Sequence, residues 1–255
     1  MALRRISMAG AVAGLLMVAV LAAGPLPAAP QDKNPDAAVK DRVEGKFKEQ
    51  GLLLGNDIQV TVENKTVTLS GTARTLLQKE DAGRAAHSAA KGYKIVNDIA
   101  LAAVDVTPQK IAERVLAAID RSLSYYIFDY VGVAVTAAGV VTLKGWSSYP
   151  WSATEFVKLA QSQSGVQKVV NEIQRVVITD VDRTLRLQVA TLIYIRPSGA
   201  GFTRQNGPVH ILVNNSVVTL GGFVDKEADI QGFEQLVRFN TGALNVINAL
   251  QLKNK

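Results

Sequence analysis

The sequence contains no cysteine and only two histidines in 255 residues. The absence of cysteine excludes disulfides and a lipid-modified amino-terminal cysteine, so the fold must be stabilised by buried apolar surface. The two histidines, His87 and His210, lie far apart with no acidic cluster beside either, which disfavours a zinc site or a histidine-based catalytic triad. We therefore expect neither a metal ion nor a cofactor.

A strong excess of one charge is also absent. The net charge is +6 at pH 7. Arg4 and Arg5 are the only charged residues among the first 28, and without them the net charge is +4. A bias this mild, without clustered Lys and Arg, argues against a nucleic-acid-binding protein but is compatible with an anionic membrane surface. Common hydrolase, metalloprotease and phosphate-loop motifs are missing too, so an enzyme is the least favoured class.

The first 28 residues have the pattern of a secretory signal peptide. Arg4 and Arg5 precede an apolar stretch at 8–23, and a Gly- and Pro-containing segment follows it. We predict cleavage after Ala28, with Ala22 as the alternative site. An uncleaved anchor is the competing interpretation, although the stretch is short for a membrane span. In both cases the remainder is exported, and the bacterial periplasm is the expected location.

One motif, Val-Thr-Leu-x-Gly, occurs three times, and an asparagine in an apolar run follows each copy at the same distance. Each asparagine stands 26 residues after the glycine of its copy. The pairs are Gly71 with Asn97, Gly145 with Asn171, and Gly222 with Asn248. A fixed internal offset at a near-regular period indicates one small folding unit used three times.

The residues around each copy predict the order helix-strand-strand-helix-strand. In the middle copy, apolar residues at 111, 115 and 119 have helical spacing, and alternation over 131–135 is typical of a half-buried strand. We expect an α+β fold of three tandem units, each a three-stranded mixed sheet with two helices on one face. The predicted boundaries are 36–104, 105–178 and 181–253. The other face of each sheet has no helix over it, so we expect it to be polar or to contact a partner.

The units resemble BON domains, and the resemblance covers about residues 36–253. In the middle unit Gly145 is followed by Gly-Val-Gln-Lys-Val-Val-Asn-Glu-Ile at 165–173, which is the family's second motif. The third unit has Gly-Ala-Leu-Asn-Val-Ile-Asn at 242–248, and the first has its glycine one place late, at Gly92. BON domains occur in osmotically inducible periplasmic proteins, some exported lipoproteins and some secretins.

The resemblance implies a non-catalytic protein that binds phospholipid membranes or other hydrophobic ligands. It would support envelope integrity or stress tolerance, with three weak contacts acting together. The alternative is an assembly module that binds an envelope protein through its open sheet faces. A carrier of hydrophobic small molecules is a third hypothesis, which small units make less favourable.

Aromatic residues concentrate in the middle unit and supply the candidate contact residues. Both tryptophans of the chain are there, and rings of this kind suit an exposed membrane or ligand contact. The alternative is that they close the end of the small core or pack against a neighbouring unit. An insertion at 196–207 in the third unit contains Phe202 and, two positions later, Arg204. The candidates for membrane or ligand contact are Trp146, Tyr149, Trp151, Phe202 and Arg204.

The repeated glycines and asparagines are predicted to have structural roles. Gly71, Gly145 and Gly222 stand where a strand gives way to a helix, and glycine permits a positive φ or a close backbone approach there. An asparagine amide in a closing strand can bind neighbouring backbone groups, which is the role expected of Asn97, Asn171 and Asn248.

Overall fold

The computed structural model describes residues 34–194 and 207–253. The predicted signal peptide at 1–28 and the candidates Phe202 and Arg204 lie outside the described residues. No helix within 34–194 or 207–253 is long and apolar enough to cross a membrane.

The helices and strands follow the predicted order in each unit. The first unit contains α1 (Pro35–Glu49), β1 (Asp57–Glu63), β2 (Thr66–Ala73), α2 (Leu76–Ala89), β3 (Lys94–Asn97) and β4 (Ala100–Leu101). The middle unit contains α3 (Pro108–Asp120), β5 (Tyr130–Val135), β6 (Val140–Ser147), α4 (Pro150–Gln161) and β7 (Lys168–Arg175). The third unit contains α5 (Asp180–Tyr194), β8 (Val209–Asn214), β9 (Val217–Val224), α6 (Glu227–Asn240) and β10 (Asn245–Leu252).

The predicted α+β fold of three mixed sheets is confirmed. In each unit the second hairpin strand is central, antiparallel to the first strand and parallel to the closing strand. The first unit's closing strand is interrupted, so β3 and β4 pair with β2 as two short pieces. The predicted boundaries at 36–104, 105–178 and 181–253 stay predictions.

Each core lies between the helices and one face of the sheet. In the middle unit Ile111, Val115 and Ile119 recur at helical spacing on α3 and are all buried. They pack with Val141 and Leu143 from alternate positions of the central strand. Apolar residues recur every four positions on α3 and every two positions on β6, so both elements direct one apolar face into the shared core.

The open sheet faces differ in chemistry. In the first unit this face carries paired polar residues, Gln59 beside Ser70 and Thr61 beside Thr68. In the third unit, Leu212 and Ile247 flank Thr219, and Phe223 lies four residues further along β9 on the same face. The first face is thus suited to water, whereas the third presents apolar side chains.

The middle and third units are packed into each other. Ile127 and Phe128, from the segment before β5, are buried in the core of the third unit. The backbone N–H of Ile211 in β8 donates to the carbonyl of Ile127 over 2.6 Å. The segment before β5 is therefore hydrogen-bonded to the edge strand β8 of the third unit and supplies part of the neighbouring core.

The first and middle units meet through their second helices. Leu76, at the start of α2, packs with the core of the middle unit. The side-chain amide of Gln161 on α4 donates to the carboxylate of Glu80 on α2 over 2.8 Å. The three repeats are therefore in contact along the chain, which short linkers favour.

Candidate functional site

The three motif glycines occupy equivalent positions with positive φ. Gly71, Gly145 and Gly222 have φ values of 96°, 137° and 115°. Each faces the first hairpin strand, where a Cβ would come closer than 3.0 Å to a backbone carbonyl oxygen. Both the backbone conformation and the space exclude a larger residue.

The three motif asparagines pair with the leucine of their own Val-Thr-Leu motif, but their side chains differ. Asn97 donates to the carbonyl of Lys79 on α2, and Asn248 donates to that of Ile230 on α6. Asn171 is exposed and accepts from the backbone of Ile173 instead. In the first and third units this asparagine therefore joins the closing strand to the second helix, whereas in the middle unit it stays within the strand.

The two tryptophans are in different surroundings. Trp146 on the open face of β6 is half-buried and lies against the backbone of Gly221 in the third unit. Its ring is 5.0 Å from that of Tyr130, and its Nε1 is buried. Of the locations considered for this residue, the structure places it against the neighbouring unit.

Tyr149 and Trp151 are at the surface where β6 leads into α4. Their rings are stacked with centroids 4.8 Å apart, and Trp151 is 61% exposed. Val177, in the linker after β7, is also exposed and lines the same cleft as Tyr149. We call Tyr149, Trp151 and Val177 the aromatic rim.

A cleft of about 480 Å³ lies beside the aromatic rim and is lined by residues of the middle and third units. Three arginines line it, Arg175 at the end of β7 and Arg183 and Arg186 on α5. Arg186 is only 8% exposed. Its guanidinium donates to the hydroxyl of Ser148 over 3.0 Å and lies 4.1 Å from the centre of the Phe128 ring.

The charge of Arg186 is only partly balanced by its surroundings. Its Nε is buried with no hydrogen-bond partner among residues 34–194 and 207–253. The buried carboxylate of Asp129 acts on it electrostatically but accepts its hydrogen bonds from the backbones of Ser148 and Tyr126. Burial lowers the pKa of Arg186 and raises that of Asp129, because each charged form loses hydration.

The arginine cleft was not among the sequence-based candidates. Its signal in the sequence is that Asp182 and Arg186 interrupt the apolar stripe of α5, where Leu185 and Val189 are also buried. Charged residues on a buried stripe need partners. Asp182 has them, since it accepts from the backbones of Asn215 and Ser216, whereas Arg186 keeps an unpaired Nε.

His210 lies at the junction of the middle and third units. Its ring lies against that of Tyr125, tilted by 35° with centroids 5.0 Å apart, and its Nδ1 is buried. Burial lowers its pKa to about 4, since the protonated ring would lose hydration. The His210 side chain is therefore neutral in the folded protein at pH 7.

We expect acid to destabilise this junction. Because the folded pKa is about 4 and the unfolded value is 6.5, the stabilisation is present above pH 6.5 and is lost as the pH falls toward 4. Between pH 7 and pH 5 the loss is about 1–2 kcal/mol. Urea unfolding at the two pH values measures it. The variant His210→Phe should lose less stability over this interval, whereas His87→Gln should behave as the wild type, and equal losses in all three proteins would contradict the assignment.

No group of three or more His, Asp or Glu side chains suited to a metal ion occurs in the part of the chain that the structure describes. A second cleft, of about 410 Å³, lies between the middle and third units near Tyr125 and His210. It includes Asp120 and Lys253 in its lining, so it is not the dry cavity that a hydrophobic carrier needs.

A family model described as the BON domain matches three segments of this chain, residues 35–103, 109–176 and 203–254. The resemblance noted in the sequence, three tandem BON domains, is thereby confirmed. A comparison with curated proteins gives no match.

Solved structures similar to this chain include the C-terminal domain of CdsD, the structural protein of the type III secretion system of Chlamydia trachomatis. The identity is 11%, the match covers 84% of this chain and 96% of that chain, and the TM-score is 0.24. The PrgH periplasmic domain is 13% identical over 80% of this chain and 100% of that chain, with a TM-score of 0.24. Scores this low carry no argument about function.

Proposed function

The chain belongs to the BON domain family, with the domain present three times, and from this premise we propose that it is an exported, non-catalytic protein that binds phospholipid surfaces of the bacterial envelope. In the periplasm it would support envelope integrity or stress tolerance. The aromatic rim is the observation that supports this proposal.

The aromatic rim has the chemistry of a shallow membrane contact. An exposed Trp and Tyr stacked on each other present apolar ring faces with polar edges, which is the pattern favoured at the interface of a bilayer. Val177 is 74% exposed beside them and adds aliphatic surface. Inserting such side chains among the headgroups removes apolar area from water without requiring a membrane-spanning element.

The charge of the chain favours approach to anionic membranes. The net charge of +4 after removal of the predicted signal peptide attracts anionic headgroups over about one Debye length, roughly 8–10 Å at physiological salt. Tandem units held close together raise the effective concentration of a second contact once the first has formed. Weak contacts therefore combine into useful affinity.

We predict that Trp151→Ala weakens binding to phosphatidylglycerol vesicles by at least about tenfold, because burying a large apolar side chain contributes about 1.5–3 kcal/mol. Co-sedimentation of the chain from Ala29 measures this loss of affinity.

Two single-tryptophan proteins provide the matched control. With Trp146→Phe, the remaining Trp151 should shift its fluorescence to the blue on vesicles. With Trp151→Phe, the remaining Trp146 should not shift. Absence of vesicle binding at low and physiological salt would rule out the membrane function.

A protein partner is the second candidate, and the open face of the third unit favours it. Ile247 and Phe223 on this face are 48% and 43% exposed, while the corresponding face of the first unit is polar. An envelope protein that binds this face should bind the wild type and should not bind the variant Ile247→Asp. Vesicle binding would be unchanged by this substitution, which separates the two candidates.

A further inference from the structure

The arginine cleft concentrates positive charge where the middle and third units meet. Arg175, Arg183 and Arg186 line it together with Ser148 and Tyr149, and no acidic residue is among the described residues that line it. Guanidinium groups bind phosphate with paired hydrogen bonds in a planar fork. Three guanidinium groups carry a charge of +3, which the buried carboxylate of Asp129 alone does not neutralise.

The buried arginine is the observation that indicates a ligand. Arg186 is 92% buried, its Nε has no partner among the described residues, and no described carboxylate lies within 4.0 Å of it. A guanidinium removed from water without a close counter-ion is costly. The ring of Phe128 and the hydroxyl of Ser148 hold the group in position, but neither supplies a negative charge.

The two flanking arginines are available to a ligand. Arg183 pairs with Asp180 over 3.1 Å, but the side chains are 60% and 93% exposed, and an exposed pair of this kind contributes little. Arg175 is exposed at the end of β7. Both side chains can therefore turn toward an anion in the cleft at small cost.

We infer that the cleft between β7, the strand-to-helix loop after β6 and α5 binds a phosphate group, with Arg186 at its floor and Arg175 and Arg183 at its sides. The phosphate comes from a lipid headgroup or from a soluble phosphate compound. The aromatic rim borders the same cleft, so a headgroup phosphate bound there would place Tyr149 and Trp151 beside the acyl region. In that form the inference rests on the membrane function proposed above, whereas the phosphate site itself does not.

The test uses the chain from Ala29 with two probes, inorganic phosphate and vesicles of phosphatidylglycerol, with phosphatidylcholine vesicles for comparison. The variant Arg175→Gln/Arg183→Gln removes two exposed arginines from the cleft. The matched control, Arg114→Gln/Arg121→Gln, removes two exposed arginines of the middle unit that do not line the cleft. Titration calorimetry follows phosphate, co-sedimentation follows vesicles, and thermal unfolding confirms that the variants are folded.

We expect the cleft variant to bind phosphate at least about tenfold more weakly, since each lost charge-assisted hydrogen bond is a strong one, and the control to stay within about twofold of the wild type. Weakened binding to both probes supports the site and identifies its phosphate as a headgroup. Phosphate binding without vesicle binding supports the site for a soluble compound and contradicts the membrane function.

Two results would overturn the inference. One is that the cleft variant leaves both vesicle binding and phosphate binding unchanged, which preserves the membrane function and rejects the cleft. The other is phosphate binding that is absent, or that the cleft and control variants weaken equally. The variant Arg186→Lys adds a further check, because it keeps the charge but loses the planar fork and should weaken phosphate binding severalfold.

Discussion

Replacing Gly145 with valine is expected to unfold the middle unit and to lower the free energy of unfolding by about 4 kcal/mol or more. Gly145 has a φ of 137°, a conformation that side chains with a Cβ rarely adopt. The added Cβ would also meet the carbonyl oxygen of Tyr130 at less than 3.0 Å. A backbone atom in a hydrogen-bonded strand cannot move aside cheaply, so the strain is not relieved by a rotamer change.

Gly132→Val on the neighbouring strand is the matched control. Gly132 is paired with Lys144 in the same sheet, and a Cβ there meets its nearest atom, a carbonyl oxygen, at an ordinary 3.7 Å. We expect this variant to lose about 1 kcal/mol at most, since valine has a favourable β propensity. Urea unfolding followed by circular dichroism measures both variants. Similar losses for the two would show that the position of the glycine is unimportant.

The second large effect is expected from Ile127→Ala, which should destabilise the third unit although Ile127 belongs to the middle unit in sequence. Its side chain is 1% exposed and packs in the third core with Phe128. Removing a buried isoleucine to alanine costs about 2–5 kcal/mol, because it loses transfer free energy and leaves a cavity. Amide hydrogen exchange should show lost protection in β8, β9 and β10.

Ile119→Ala is the control for this prediction. Ile119 is equally buried but packs within the core of the middle unit. The two variants should lose comparable stability, with the loss of amide protection in β5–β7 for Ile119→Ala and in β8–β10 for Ile127→Ala. If Ile127→Ala reduces amide protection only in the middle unit, Ile127 does not contribute to the core of the third unit in solution.

The shared core also bears on the arginine cleft. Phe128, which belongs to that core, supports the guanidinium of Arg186 from 4.1 Å. Ser148 of the middle unit accepts a hydrogen bond from the same group. Loss of the contact between the units should therefore weaken phosphate binding as well as stability, whereas a variant within the first unit should leave the cleft intact.

Much of the fold was predictable because its determinants are local. The apolar periodicity of α3 and the alternation in β5 and β6 are properties of short segments, and they define which side faces the core. The fixed offset between Gly145 and Asn171 places them in neighbouring strands of the same sheet, with Leu143 as the direct partner of Asn171. Repetition of this pattern identified the family.

The candidate site was predictable only in part. Aromatic enrichment near β6 indicated a contact surface, but the sequence does not separate Trp146 from Trp151. One packs on Gly221 of another unit and the other faces solvent. Their difference depends on where the third unit lies, which is a long-range property.

The sequence by itself determined the unit, its number of copies and the order of helices and strands along each copy. Each of these follows from side-chain spacing and from repeated glycines at positions whose backbone conformation favours glycine. Tertiary structure alone decided which units share a core, which aromatic rings stay exposed and how the arginines are grouped. Arg175 and Arg186 meet at one cleft because the middle and third units pack together through Ile127 and Phe128. Contacts between residues distant in sequence depend on that packing, and no local pattern encodes them.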